Sequence, residues 1–484
     1  MNIKIICHLM GMILLLEAAF MTPAVLIGLF DGDLSVVQSF LLTMAAMAAA
    51  AGLMLYGSRD RKRTFYAQEG FATVGLSWVI MSVFGCLPFV LSGEIPSFVD
   101  ALFEVVSGFT TTGASILPDV EAISRGLLYW RSFTHWLGGM GMLVFLLAVV
   151  PQGPSAGYSL HLLRAESPGP SVGKLTPRLG ETAKALYLIY IALTVLCCLF
   201  LLAGGMPLFD SVCTALGTAG TGGFGIKGDS LASYSHYLQN VVTIFMALFG
   251  VNFSLYYLLL LREFKAALFD EELRLYVGLM LGSIALVSWN TLPLFGSLRE
   301  AVHHTAFQVS SIMTTSGFST VDFDLWPPFS KAVLLGLMFV GASAGSTGGG
   351  IKCARVLLLT KELRRNIQQA MHPSAVRRVR INNRGVDEQV IQNVNAYMAA
   401  YLVLAAVSFI LISLDGFSME TNFSAVAACF NNIGPGFDAV GPMANFSGYS
   451  ILSKLILTAD MLLGRLEIFP ILTLFSRYTW DRSK

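Results

Sequence analysis

The sequence predicts an all-α polytopic membrane protein. Four parallel repeats, each of helix, re-entrant loop and helix, surround a central pore, and two further transmembrane helices precede them. Three observations carry this reading. Of the 484 residues, 55% are hydrophobic and only 13% charged, against about 25% charged in soluble domains. Apolar runs long enough to span a bilayer, about 18 residues or more, recur along the chain. Four short glycine-centred stretches, TTGAS (111–115), TGGFG (221–225), TSGFS (315–319) and NIGPG (432–436), return about every 100 residues, which marks an internal repeat.

Taken in order, the apolar spans are 6–30, 36–56, 71–92, 127–150, 183–204, 237–261, 274–294, 331–360, 391–414 and 450–476. The first is too long for a signal-peptide core and lacks a small-residue cleavage site, so it reads as a retained helix. Four shorter segments, 97–110, 207–220, 300–314 and 418–431, lie between spans and run into the glycine stretches. At 1.5 Å per residue they cannot cross about 30 Å of hydrocarbon. A short helix followed by non-helical backbone between two spans is a re-entrant loop, tolerated where protein or a water-filled cavity surrounds it. The implied units are 1–65 (two N-terminal helices), 66–165, 166–270, 271–370 and 371–484 (repeats one to four). Each repeat has two full spans, so the repeats are parallel and suit an axis along the membrane normal; inverted repeats need an odd number.

Lys and Arg orient the chain. They gather at Arg59, Arg61, Lys62 and Arg63, in the loops 151–182 and 262–274, at Lys361, Arg364, Arg365, Arg377, Arg378, Arg380 and Arg384, and in the tail at Arg477, Arg482 and Lys484. With ten spans all fall on one side, which is then cytoplasmic. Both termini lie there, and the glycine loops enter from outside. The net charge of +1 gives no reason to expect nucleic acid. The seven cysteines, Cys7, Cys86, Cys197, Cys198, Cys213, Cys353 and Cys429, sit mostly in or beside apolar runs with no CxxC or Cys/His cluster. They read as small apolar residues, and no transition-metal site is expected.

A cation leaving water needs oxygens in place of its hydration shell. Backbone carbonyls supply them where consecutive peptides face inward, and glycine permits the backbone angles this requires. The frames are Thr111-Thr112-Gly113, Thr221-Gly222-Gly223, Thr315-Ser316-Gly317 and Asn432-Ile433-Gly434. The fourth could instead be framed on Gly436. Asp100 and Asp210 lie near the starts of the first two short helices, where acids complement the positive end; Glu300 and Glu420 match that spacing only roughly. The helix C-termini then bring partial negative charge towards the axis, which favours a cation.

The span 331–360 contains GASAGSTGGG (341–350), a poor helix interior because each Gly costs about 1 kcal/mol relative to Ala. It is expected to break mid-membrane. Gly345, Ser346, Thr347, Gly348, Gly349 and Gly350 are then either a movable gate or a close-packed small-residue interface. Arg465 and Glu467 lie in the middle of the last span, where an arginine costs about 2.5–3.5 kcal/mol. Arg465 either faces the pore as a barrier to cations or pairs with Glu467 or Asp460. His135 and Asn252 are the polar members of the corresponding spans of repeats one and two. TGGGIK (347–352) lacks the adjacent Gly-Lys-Ser/Thr of a P-loop.

The stretches SGFTTTGAS (107–115), GTGGFG (220–225), TTSGFST (314–320), NNIGPGFD (431–438), AGSTGGGIK (344–352) and LGRLEIFP (463–470) together resemble the Trk/Ktr/HKT superfamily of cation transporters, most closely its bacterial TrkH type. The likeness covers nearly the whole chain, and the two extra N-terminal helices favour TrkH over KtrB. The resemblance implies a fourfold pseudosymmetric pore of M1–P–M2 type in the bacterial inner membrane, with potassium on filter carbonyls and no organic cofactor. It implies that 342–350 is the gating loop and Arg465 the pore arginine. It also implies a homodimer, and as cytosolic partner a TrkA-like nucleotide-binding ring of RCK domains. Two rivals stay open. A secondary transporter would place a solute site among broken helices. An intramembrane enzyme would need a polar catalytic set, for which His135, Asn252 and Asp460 are the candidates.

Overall fold

A computed structural model describes residues 2–59, 67–141, 179–373 and 377–476. Arg61, Lys62, Arg63, the 151–178 part of the second basic loop and the tail from 477 onward, on which the orientation reading partly rests, lie outside the described residues.

The chain begins with a helical hairpin. Ile3–Phe20 and Thr22–Asp31 are separated by a break at Met21, with Pro23 opening the second piece. Leu34–Gly57 returns antiparallel, started by Asp33, whose side chain accepts from the Val36 N–H. The first helices of the repeats follow as Ala67–Gly85, extended by Leu87–Ser92, and as Leu179–Ala203, Glu271–Phe295 and Glu388–Ile412. The last three have 25 residues each, about 37 Å of helix, enough to cross the hydrocarbon.

Among the described residues, six helices are long and apolar enough to cross a membrane. The surface is apolar where a soluble protein would be polar. Phe30, Leu53, Trp289 and Leu414 are each more than 70% exposed, the pattern of a lipid-facing belt. Inside, buried side chains form several clusters; the largest joins the N-terminal hairpin to repeats one and four, and repeats two and three have one each.

The second helix of the third repeat breaks at the glycine-rich stretch: Pro328–Val340 ends at Gly341, and Cys353–Met371 resumes after a non-helical loop. The second helices of repeats two and four are also interrupted, which the sequence reading did not anticipate. In repeat two, His236–Phe249 and Phe253–Leu260 meet at 88°. In repeat four, Ile451–Arg465 and Phe469–Phe475 are separated by Glu467 and Ile468, both with positive φ. In repeat one, Arg125–Met140 ends at Gly141, where this described stretch stops. The leading pieces have 16, 14, 13 and 15 residues, so all four stop at a similar depth, about 20–24 Å from their starts.

A short hairpin pairs Arg380–Ile381 with Arg384–Gly385 on the side opposite the glycine loops. Asn382 at its tip is bonded to Asp270 and Glu271, and Arg365 to Glu388, which ties this loop to two first helices.

Candidate functional site

The four short helices are Phe98–Phe109, Leu208–Gly220, Leu298–Met313 and Met419–Phe430. Three begin on serine: Ser97, Ser297 and Ser418 accept from the N–H two or three residues into their helices. Ser97-Phe98-Val99-Asp100 and Ser297-Leu298-Arg299-Glu300 have capping-box spacing. All four acids, Asp100, Asp210, Glu300 and Glu420, lie in first turns. Glu300 and Glu420 thus share the first-turn place of Asp100 and Asp210, although they stand at a different distance from their central glycines; the third helix is longer than the others.

Each helix ends in the same way. The N–H groups of Thr111 and Thr112 reach back to the carbonyls of Gly108 and Ser107, and Thr221/Gly222, Thr315/Ser316 and Asn432/Ile433 repeat both bonds at 2.8–3.2 Å. This is the Schellman arrangement, with a left-handed residue just past the helix. Glycine normally takes that position. Here it is Thr111, Thr221, Thr315 and Asn432, with φ of 55, 55, 59 and 56°. For side chains with a Cβ the left-handed region costs about 1–2 kcal/mol each, and such strain persists only where surrounding structure enforces it. Two residues on, Gly113, Gly223, Gly317 and Gly434 also have positive φ.

The four loops form a closed ring. A methyl group on Gly113 would strike the Gly222 carbonyl; on Gly223, that of Ser316; on Gly317, that of Ile433; and on Gly434, that of Thr112. The loops therefore follow one another in chain order around one axis. All four glycines line a single cavity that opens on the loop side, together with Arg131 and Phe224. The side chains of Thr111, Thr112, Thr221, Thr315, Ser316, Asn432 and Ile433 are fully buried behind the ring. Asn432 donates to Thr112 Oγ1 at 3.0 Å and so joins the fourth loop to the first.

Buried polar groups hold the ring from outside. Arg131 and Glu104 pair at 2.6 Å. Glu104 also accepts from Ser115 Oγ and the Ile116 N–H, and Arg131 donates to the Gly225 carbonyl and lies 3.5 Å from the Phe224 ring centre. The pair thus joins the trailing ends of loops one and two. His135 bridges the same loops: its Nδ1 meets the Gly108 carbonyl at 2.8 Å, and Phe224 N–H donates to its Nε2 at 3.3 Å. The Gly108 contact assigns the proton to Nδ1.

Beneath the ring lies the loop 341–352. Its groups bond to the broken end of repeat two, Ser343 N–H to Gly250 O and Phe253 N–H to Gly345 O. They also bond to Glu272, which accepts from Ala344 N–H at 2.6 Å. Gly349 N–H donates to Thr315 Oγ1 at 2.7 Å, a direct tie from this loop to the ring. Arg465 donates to the carbonyls of Thr347 and Gly139 at 2.7 Å each and to that of Gly138. One guanidinium thus joins the second helices of repeats one and four to the loop of repeat three. Neither carboxylate proposed as its partner is directed to it. Glu467 pairs with Lys352 at 3.0 Å and with Arg355, and Asp460 accepts from Ser408.

The sequence reading missed this network and the Glu104–Arg131 pair. The available signal was opposite charge inside apolar segments that must face one another, Arg355 with Glu467 and Arg131 with Glu104. Asn252 is a helix cap, accepting from Ser254 N–H at 2.9 Å.

A family described as TrkH, cation transport protein, matches residues 36–482. The chain is 35% identical to the Trk system potassium uptake protein TrkH of Salmonella typhimurium over 488 aligned residues, 99% of this chain and all of that one. It is 33% identical to the Trk system potassium uptake protein TrkG of Escherichia coli, over 99% of both chains. The crystal structure of the potassium transporter TrkH from Vibrio parahaemolyticus superposes with a TM-score of 0.88 at 30% identity, covering 99% of this chain and all of the other. This chain belongs to the TrkH family of cation transport proteins.

Proposed function

From that membership and the geometry of the ring, we propose that the protein takes up potassium across a bacterial inner membrane through a channel-like path along the ring axis. The observation that carries the reading is the closed ring of four loops with one repeated backbone. The ion would shed its water onto carbonyls of Thr111, Thr112, Gly113, Thr221, Gly222, Gly223, Thr315, Ser316, Gly317, Asn432, Ile433 and Gly434. Carbonyl oxygens suit a hard monovalent cation, and the four helix C-termini add partial negative charge. Each imported charge gains about 2.3 kcal/mol per 100 mV of membrane potential.

The gate in this proposal is the loop containing Gly345, Ser346, Thr347, Gly348, Gly349 and Gly350, closed by Arg465. The arginine's bonds to Thr347 and Gly139 hold the loop under the ring, and its charge opposes a cation there. Opening would release those bonds. The units are those implied by the sequence, 1–65 and four repeats ending near 165, 270, 370 and 484, with both termini cytoplasmic. Regulation by a TrkA-like nucleotide-binding ring and assembly as a homodimer belong to the same proposal. The basic helix end and hairpin at 361–388 are the docking surface.

Rubidium uptake by potassium-starved cells tests the filter. Gly113→Ser and Gly434→Ser each put atoms against a neighbouring carbonyl and are expected to lower uptake or admit sodium. Uptake and selectivity unchanged in both would remove the filter reading.

A further inference from the structure

Two of the four pore helices have their first-turn acid held by a lysine, and the third does not. Asp100 in the first pore helix is held by Lys454 at 2.6 Å, and Glu420 in the fourth by Lys331 at 2.7 Å. Each lysine stands four residues beyond the residue that precedes its second helix, Ser450 or Pro327. The same step of the second repeat's second helix, four beyond Ser235, is Gln239. Glu300 of the third pore helix therefore faces imidazoles rather than an ammonium. His236 Nε2 is 3.8 Å and His304 Nε2 3.6 Å from Glu300 Oε2.

We propose that His236, Glu300 and His304 form a binding site for a divalent transition ion of the zinc type, placed to restrain the third filter loop. One ligand atom from each residue lies within 4.8 Å of the others. Zinc with ligands at 2.0–2.1 Å in tetrahedral array needs separations of about 3.3 Å. His236, with half its side chain exposed, supplies the small closing movement and leaves a coordination position to water. Two imidazoles and a carboxylate suit zinc or its neighbours and are a poor match for potassium, magnesium or calcium, which take oxygen donors.

The surroundings are those of a metal site. His304 Nδ1 meets Thr320 Oγ1 at 3.0 Å, which fixes the ring and directs Nε2 to Glu300. His303 is not a ligand. Its two nitrogens are taken by Asn240 and Gln239, and its ring lies 4.4 Å from that of His236, which it supports. Thr320 directly follows TSGFS, and Ser319 is bonded to Ser230 and Leu231 of the second repeat. A bound ion would therefore join the third pore helix, the second repeat's second helix and the trailing end of filter loop three. Glu300 and His304 stand one helical turn apart, at i and i+4, but His236 comes from the preceding repeat, so no single short motif in the sequence holds the whole ligand set.

Full-length protein in detergent, with any affinity tag removed, is titrated with zinc chloride by calorimetry. One zinc per chain is expected, with at least about tenfold weaker binding in both His236→Ala and Glu300→Gln and no competition from excess magnesium. No zinc binding, or binding unchanged in both variants, overturns the site. Rubidium flux into proteoliposomes is then expected to slow with zinc in the unaltered protein and not in His236→Ala. Zinc-insensitive flux in the unaltered protein overturns the restraint. Calorimetry does not depend on the transport reading, so failure of one is distinguishable from failure of the other.

Discussion

In the ring, Thr111, Thr221, Thr315 and Asn432 hold φ within 4° of one another and make the same two backbone bonds. Directly beneath, the second helices break in dissimilar ways: a sharp bend at Gly250–Asn252, a twelve-residue glycine-rich loop at 341–352, and two left-handed residues at Glu467 and Ile468. The contrast separates two demands. On the proposed function, a dehydrated ion on the axis would need oxygens all round it, which four loops of one backbone would supply. An obstruction would need only one repeat to supply it, which would leave the layer beneath free to differ. Repeat three supplies the loop, repeat four the arginine, and repeats one and two the carbonyls and helix end that hold them.

If the lower layer depends on repeat-specific charges, removing one charge there should cost more than altering a polar contact outside the ring. Glu467→Gln leaves Arg355 and Lys352 without their shared counter-charge. A loss of about 3–5 kcal/mol is expected, as for other broken buried pairs, read as a fall in thermal midpoint in detergent. A midpoint unchanged within error would mean the network is dispensable and the two layers are not held differently.

The second test asks whether the lower layer obstructs. Arg465→Ala removes the ties to Gly138, Gly139 and Thr347 together with the charge. Rubidium flux is expected to rise about tenfold, equivalent to about 1.4 kcal/mol off the barrier. Arg465→Lys keeps the charge but not the forked geometry and should fall between. Unchanged or lost flux in folded Arg465→Ala would count against a barrier role.

The smallest effect is expected on the loop side of the ring. Hydrogen bonds from the Ser418 and Thr421 hydroxyls, 2.6 Å each, hold the Asp438 carboxyl below its usual range. The folded pKa is depressed, so this stabilisation is present above the ordinary aspartate value of about 4 and is lost as pH falls through the lower folded value. Asp438→Asn should therefore lower the thermal midpoint slightly at pH 7, and the difference should shrink below about pH 4. A difference that persists in acid would assign the effect to packing rather than charge.

Much of this was legible in the sequence. The short segments 97–110, 207–220, 300–314 and 418–431 are helices within two residues at most ends, because segment length, serine caps and terminal Thr-Thr or Asn-Ile turns are local properties. Repeat three announced its break with five glycines. Repeat four carries only Pro470, which opens the resumed helix and marks a boundary. Where the preceding residues turn is set also by what Glu467 reaches, Lys352 and Arg355 more than 100 residues earlier.

By itself the sequence determined the class of protein, the number of repeats, the place of each glycine loop and the break in the third repeat's second helix. All follow from apolar length and short-range backbone preference. Only the tertiary structure decided that the four loops close into one ring in chain order, that Arg465 is directed to backbone carbonyls rather than to Glu467 or Asp460, and that Glu300 meets His236. Those outcomes depend on which buried polar groups are brought within bonding distance. A charge inside an apolar layer takes whichever partner the fold delivers, and sequence spacing does not specify it.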